Sequence, residues 1–307
     1  MNLDFSNIKV LLIGDFMVDH YIIGTSNRMS PEAPVPVITP KKEYSIPGGA
    51  GNVAMNLCLM GAKVTCIGFV GDDVWGQKLL SILDNEGIKT KGIEIIGNHP
   101  TTLKQRIYSD GEQVARLDKE KIIDWKPDCA IKHNYNDYDI IILSDYNKGV
   151  LNHLWFNIDS FNNVIVDPKK DNFNHYNGAN IITPNLNELQ RASKIQIQND
   201  ESIVKACKQL IKECSCNYIV AKKGNKGMTI VGKDNFIEHI PAYSVKNPDV
   251  TGAGDTVISV LSIAYAKTND IVLSANLANA AAAKVVGKVG TATVTLDELS
   301  FSDVITL

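Results

Sequence analysis

The chain has 307 residues, 44% of them hydrophobic and 21% charged, with 31 Lys and Arg against 34 Asp and Glu. That composition is ordinary for a globular protein, and the length suits one large α/β domain or two smaller ones, with a core that needs no staples. A net charge of -3 leaves no basic footprint for nucleic acid or an anionic membrane as the main partner.

The N-terminus carries Asp4 early and no long apolar stretch, so no signal peptide is expected. No apolar run is long enough to span a bilayer. A cytoplasmic location is the expectation. The six cysteines, at 58, 66, 129, 207, 214 and 216, form no C-x-x-C pair and read as reduced core thiols. The six histidines are scattered and suggest no zinc site.

In chain order, residues 10–13 read as a first strand. Residues 17–47 hold Pro31, Pro34, Pro36, Pro40 and Pro47 between short alternating runs, which predicts extended structure outside a central sheet. A helix over about 51–60, a strand over 64–70 and a helix over about 74–86 follow. Residues 95–117 read as a pair of alternating strands around Ser109-Asp110-Gly111. Strands are predicted at 140–143, 164–166, 180–182 and 218–221, and helices at about 187–194, 201–213, 253–267 and 271–287. Strand–helix alternation predicts an α/β fold with a mainly parallel sheet and helices on both faces. The stretches 17–47 and 95–117 would form a small β lid on a single domain spanning 1–307. Ligands in such sheets bind beyond the carboxyl ends of the strands, so polar residues just after strands are the candidates.

Two motifs mislead. Gly227 to Lys233 has a P-loop's spacing, but Asp234 follows where Ser or Thr should hold magnesium, and the segment reads as strand and turn. Gly252-Ala253-Gly254 begins like a dinucleotide fingerprint, but Val257 stands in place of the third glycine, which argues against hydride transfer.

The stretch D-V-T-G-A-G-D-T at 249–256 precedes an apolar helical pattern. Its small residues let backbone amides approach a ligand, and a helix start there makes an anion hole. Asp255 in the first turn could take a proton from a nearby hydroxyl, or could simply cap the helix.

This stretch resembles the C-terminal signature of the pfkB (ribokinase-like) carbohydrate kinases. P-G-G-A-G-N at 47–52 and I-G-F-V-G-D-D at 67–73 are similar to that family's N-terminal pattern. G-D-F-M-V-D-H-Y at 14–21, S-D-Y-N-K-G at 144–149, V-D-P-K at 166–169, T-P-N-L-N-E at 183–188 and V-V-G-K-V-G-T at 285–291 resemble one subgroup, the D-glycero-β-D-manno-heptose-7-phosphate kinases. Many members of that subgroup carry a nucleotidyltransferase domain, which is expected to be supplied by another polypeptide here. The chain departs from the subgroup at Ser109-Asp110-Gly111-Glu112.

The resemblance implies a ribokinase-like fold that uses ATP and magnesium, with potassium in some relatives. Asp255 would be the base, and Gly252, Ala253 and Gly254 the anion hole. Asp15, Asp19, Gly48, Gly49, Asn52 and Asp145 would contact the sugar. Lys104, Arg106, Arg116 and Lys148 are candidates for its phosphate. Asn185 and Glu188 would serve the ATP phosphates, with Glu188 reaching magnesium through water; the pair also reads as a capping box. Lys222, Lys223, Gly224, Gly227, Asn279 and Ala283 would form the adenine side. Asp249 and Thr251 match positions that hold a monovalent cation in some members. The implied reaction is phosphorylation at C1 of heptose 7-phosphate, on the way to nucleotide-activated heptose for surface polysaccharide. The alternatives are another sugar kinase and a non-catalytic sugar- or nucleotide-binding regulator. A homodimer paired through the lids is expected.

Overall fold

The computed structural model describes residues 4–127, 134–153, 157–158, 161, 163–246, 248–288 and 290–299. Cys129 lies outside them. The described residues form two sheets. The larger has nine strands in the order β13-β12-β11-β10-β9-β8-β1-β4-β5. These are β1 (Lys9–Gly14), β4 (Lys63–Gly71), β5 (Lys89–Ile96), β8 (Ile140–Ser144), β9 (Val164–Asp167), β10 (Ile181–Ile182), β11 (Tyr218–Lys222), β12 (Met228–Gly232) and β13 (Ile237–Ile240). Pairing is parallel from β5 across to β11, and β12 and β13 add antiparallel at one edge.

Alternation along each strand sends side chains to two separate cores. Val10 and Leu12 of β1, with Ile140 and Ile142 of β8, join one core. Helices α1 (Ala50–Leu59), α2 (Val74–Asn85), α5 (Ala253–Thr268) and α6 (Ile271–Val286) cover it. Leu11, Ile13, Ile141 and Leu143 face the other core, beneath α3 (Leu186–Ser193) and α4 (Asp200–Cys214). Strands buried on both faces read as continuous apolar runs, which is why the central ones were legible.

The smaller sheet has the order β3-β2-β6-β7, built from β2 (Phe16–Met29), β3 (Pro36–Gly49), β6 (Thr102–Ser109) and β7 (Glu112–Lys119). It leaves the main sheet at the carboxyl end of β1, where Asp15 alone separates the two strands. Pro36, Pro40 and Pro47 fall inside β3. That strand is an edge with a register shift near Ile23/Gly24, and an edge tolerates missing N–H donors. Tyr21 stacks between Tyr44 and Tyr108, with centroids 5.0 and 6.3 Å away, and helps hold three strands of this sheet together.

One expectation needs correction. Residues 95 and 96 end β5, an edge strand of the main sheet, so the small sheet resumes only at Thr102. The run 89–96 has one solvated side, so its apolar signal in the sequence is too weak to mark a strand. The same holds for β13, exposed along most of its length.

Candidate active site

The carboxyl ends of β8, β9 and β11 and the segment after β10 converge on the start of α5. There Asp145, Tyr146, Asp167, Pro168, Lys169, Asn185, Glu188, Lys222, Gly252, Gly254 and Asp255 line a cleft of about 170 Å³. Main-chain geometry delivers these residues together, because each follows a parallel strand or begins the helix packed against them.

Helix α5 begins after Gly252, whose φ of 78° places it in the left-handed region. A Cβ there would also come within 2.9 Å of the Asn52 amide nitrogen, so the position needs glycine twice over. No side chain caps this helix start, and although the Ala253 amide donates to the Val250 carbonyl at 3.3 Å, the amide of Gly254 in the same turn is left to meet an anion. Asp255 is 5% exposed. Its Oδ2 accepts from Asn52 Nδ2 at 2.8 Å and its Oδ1 from the Tyr146 hydroxyl at 2.5 Å. Burial pushes its carboxyl up to about 6, even though the Tyr146 and Asn52 bonds pull it down. It is therefore mostly ionised at neutral pH yet close to its own protonation, which suits a general base. Asn52 is itself held from α1, where Asn56 donates to its carbonyl oxygens at 2.9 and 3.3 Å.

Lys222 lines the same cleft, its Nζ 2.5 Å from Asp167 Oδ1 and 3.6 Å from where a Cβ on Gly254 would stand. Burial alone would lower its pKa, but Asp167 and Glu188 outweigh that and raise it. Lys222 is a partly buried, charged ammonium beside an anion-ready helix start. Asn185 and Glu188 form a complete capping box, both bonds being 2.9 Å. Glu188 Oε1 lies 3.2 Å from Lys169 Nζ. The capping reading of this pair is realised, and both residues still line the cleft. Among the described residues no cluster of three His, Cys, Asp or Glu could hold a metal by itself. Asp167 and Glu188 at the cleft fit a hard cation carried by phosphate oxygens and waters, the usual arrangement for magnesium.

Asp19 accepts from Arg106 at 2.6 Å and from Thr291 at 3.0 Å. A Cβ on Gly48 would lie 2.7 Å from its Oδ2, and Gly49, with a φ of 56°, leads directly into α1. Arg106 is thus committed to a carboxylate. So are two other basic candidates: Lys148 pairs with Glu120 at 2.8 Å and Arg116 with Asp118 at 2.6 Å. Lys104 has no carboxylate within ion-pair distance among the described residues. Its ammonium sits 5.1 Å from the centre of the Tyr146 ring. Burial lowers its pKa, against the pull of Asp19 and Asp255.

Several expected site residues do other work. Asp15 is 2% exposed and accepts the backbone N–H groups of Tyr146, Lys148 and Val150 at 2.8, 3.0 and 3.1 Å. It anchors the loop after β8 and is no free sugar ligand. Lys223 turns to Asp200 at 3.0 Å, and Gly224 and Gly227 bracket a tight turn outside the cleft lining. Asn279 donates to the Pro241 carbonyl at 2.7 Å. Asn279 and Ala283 lie on α6, also outside the lining. Asp249 accepts from the amides of Thr251 and Gly290 at 3.0 and 2.7 Å. Those bonds hold its carboxyl below the usual range despite partial burial, which acts the other way. Its visible role is to join two loops.

Sequence reasoning missed Tyr146, Asp167 and Lys169. The rule that selected Asp145, a polar residue at a strand's carboxyl end, would also have selected Asp167 and its neighbour Lys169. Tyr146 lies inside the S-D-Y-N-K-G stretch, but nothing local ties it to the base, because its partner Asp255 is 109 residues away.

The family model described as pfkB family carbohydrate kinase matches residues 7–298. The curated protein "Bifunctional protein HldE" of Aliarcobacter butzleri is 40% identical over 305 residues, covering 95% of this chain and 63% of that protein. The protein of the same name from Gluconacetobacter diazotrophicus is 38% identical, over 97% of this chain and 64% of its own length. The chain therefore spans under two thirds of these relatives. Among solved structures, an Arabidopsis thaliana ribokinase complexed with ribose and ATP superposes with a TM-score of 0.75 at 20% identity, covering 95% of each chain. Escherichia coli phosphofructokinase-2 in complex with potassium gives 0.75 at 17% identity, over 95% of this chain and 96% of that one. The fold is ribokinase-like.

Proposed function

Because the chain belongs to the pfkB family of carbohydrate kinases, we propose that it transfers the γ-phosphoryl group of ATP to the C1 hydroxyl of D-glycero-β-D-manno-heptose 7-phosphate. The observation that carries this reading is Asp255, a buried carboxylate at an uncapped helix start in a cleft that Lys222 also lines.

In the proposed reaction Asp255 takes the proton of the sugar hydroxyl as its oxygen attacks the γ-phosphorus. The bond to the bridging oxygen breaks, and ADP leaves with that electron pair. The amides of Gly252 and Gly254 and the Lys222 ammonium would face the charge that develops on the transferring group, with Ala253 joining them if its bond to the Val250 carbonyl opens. Magnesium, when bound with the nucleotide, would neutralise phosphate charge, with Glu188 and Asp167 holding its waters. Nothing in the geometry of Asp249 calls for potassium in a step. Asp19 and Asn52 would orient the sugar hydroxyls, and Lys104, the basic candidate without a carboxylate partner, would meet the 7-phosphate. Subgroup motifs and relatives at 38–40% identity support the heptose over other sugars.

The product would serve nucleotide activation of the heptose. An ATP-using enzyme whose described cysteines are free thiols suits the cytoplasm, and among the described residues no helix is long and apolar enough to cross a membrane. Pairing of two subunits through the smaller sheet is supported by β7, exposed along its whole length with Leu117 55% accessible.

The test is ADP release with magnesium-ATP across a panel of sugars. Turnover confined to heptose 7-phosphate is expected. Equal turnover with free ribose or fructose would discard the heptose and keep the kinase. ATP binding with no turnover on any sugar would indicate a regulator.

A further inference from the structure

Tyr146 takes no part in the reaction as written, yet it touches the reacting group. With Asn52 on Oδ2 and the Tyr146 hydroxyl on Oδ1, both oxygens of Asp255 already accept a hydrogen bond. The tyrosine hydroxyl thus occupies a place from which an acceptor hydroxyl would hand over its proton. Burial first, and then Asp255 beside it, push the hydroxyl well above its ordinary range, so it donates and does not become a nucleophile.

The ring is not there by accident of a loose loop. Asp15 fixes the Tyr146 backbone N–H at 2.8 Å and those of Lys148 and Val150 beyond it. On the other side Lys104, from β6 of the smaller sheet, lies over the ring. A cation over a ring face is an attractive contact, so the smaller sheet and the base are connected through this one side chain.

We propose that Tyr146 guards the base: it stands in for the acceptor hydroxyl and keeps water off Asp255 Oδ1 until a sugar displaces it, with the Lys104 contact coupling that displacement to the smaller sheet. The inference rests on the kinase reading above. An unguarded base would activate water. Water oxygen would attack the γ-phosphorus, its proton would pass to Asp255, and ADP would leave with the bridging oxygen's electrons, giving inorganic phosphate.

The experiment compares ATP hydrolysis by the wild type, Tyr146→Phe and Tyr146→Phe/Asp255→Asn, with magnesium-ATP and no sugar. Phenylalanine keeps the ring and leaves room for a water, and thermal melts check that each variant is folded. Sugar-independent hydrolysis should rise roughly tenfold or more in Tyr146→Phe, short of the about 10²–10⁴ that a fully positioned base supplies because a water is held less well than a sugar hydroxyl. The rise should vanish in the double variant. With a sugar that the wild type accepts, phosphorylated sugar formed per ADP should fall well below one in Tyr146→Phe. Hydrolysis equal to wild type in Tyr146→Phe, or a rise that persists without Asp255, overturns the guard. A wild type that phosphorylates no sugar sinks the kinase reading instead, and the hydrolysis comparison still decides whether Tyr146 shields the base.

Discussion

Replacing Asn52 by Ala separates tuning of the base from contact with the sugar. Asn52 donates to Asp255 Oδ2 at 2.8 Å, and both groups are buried. A hydrogen bond to a charged group is worth about 1.5–3 kcal/mol. At about 1.36 kcal/mol per pH unit, losing it raises the Asp255 carboxyl from about 6 by roughly one to two units. The ionised fraction at pH 7 then falls from about nine-tenths to between about a half and a tenth. Water entering the vacated space would soften the change. The assay is kcat/KM against pH, from about pH 5.5 to 9, for both proteins. Titration of a substrate phosphate is common to the two and cancels in the comparison. The acid limb should move upward in Asn52→Ala, with activity recovering toward the wild type at the alkaline end. A loss of equal factor at every pH, with the acid limb unmoved, would mean that Asn52 serves the sugar alone and that the tuning argument is wrong.

Asp255→Asn should lower turnover by about 10²–10⁴ and yet raise stability at pH 7.5. The folded carboxyl titrates near 6, against an ordinary value of 3.8. The folded state therefore holds this proton more tightly than the unfolded chain, and the group destabilises the fold above about pH 6, by up to about 3 kcal/mol. That cost fades as pH falls from about 6 toward 3.8, so the variant's advantage in urea unfolding should shrink at about pH 5. An identical difference at both pH values would contradict the assigned shift. Light scattering at working concentration should give twice the chain mass of 33.6 kDa if the smaller sheets pair. A monomer removes that assembly.

Much of the fold was legible because it rests on short-range patterns. Val10–Ile13 and Ile140–Leu143 are apolar on both faces, so their membership of a parallel sheet is written in consecutive residues. The approach of backbone at 252–254 and the place of Asp255 in a first turn follow equally from small residues before a helical pattern. Strands β5 and β13, each with a solvated side, gave too little apolar periodicity to be separated from loop.

Partnerships between distant residues were decided only by the tertiary structure. Asp15, Asp19 and Asp145 look alike in sequence, each following the first strand or a later one. Asp15 faces the amides of the loop after β8, Asp19 faces Arg106 of the second sheet, and Asp145 receives the Tyr176 hydroxyl at 2.7 Å. Likewise Lys104 and Lys148 are both basic residues without a sequence-adjacent carboxylate, but among the described residues Lys148 finds one in Glu120 and Lys104 finds none. Local periodicity fixes which face of an element a residue lies on. Whether its charge is neutralised, buried or left to meet a ligand depends on which element packs opposite. For Asp255 those elements bring residues 52 and 146 to its two oxygens from 203 and 109 positions away.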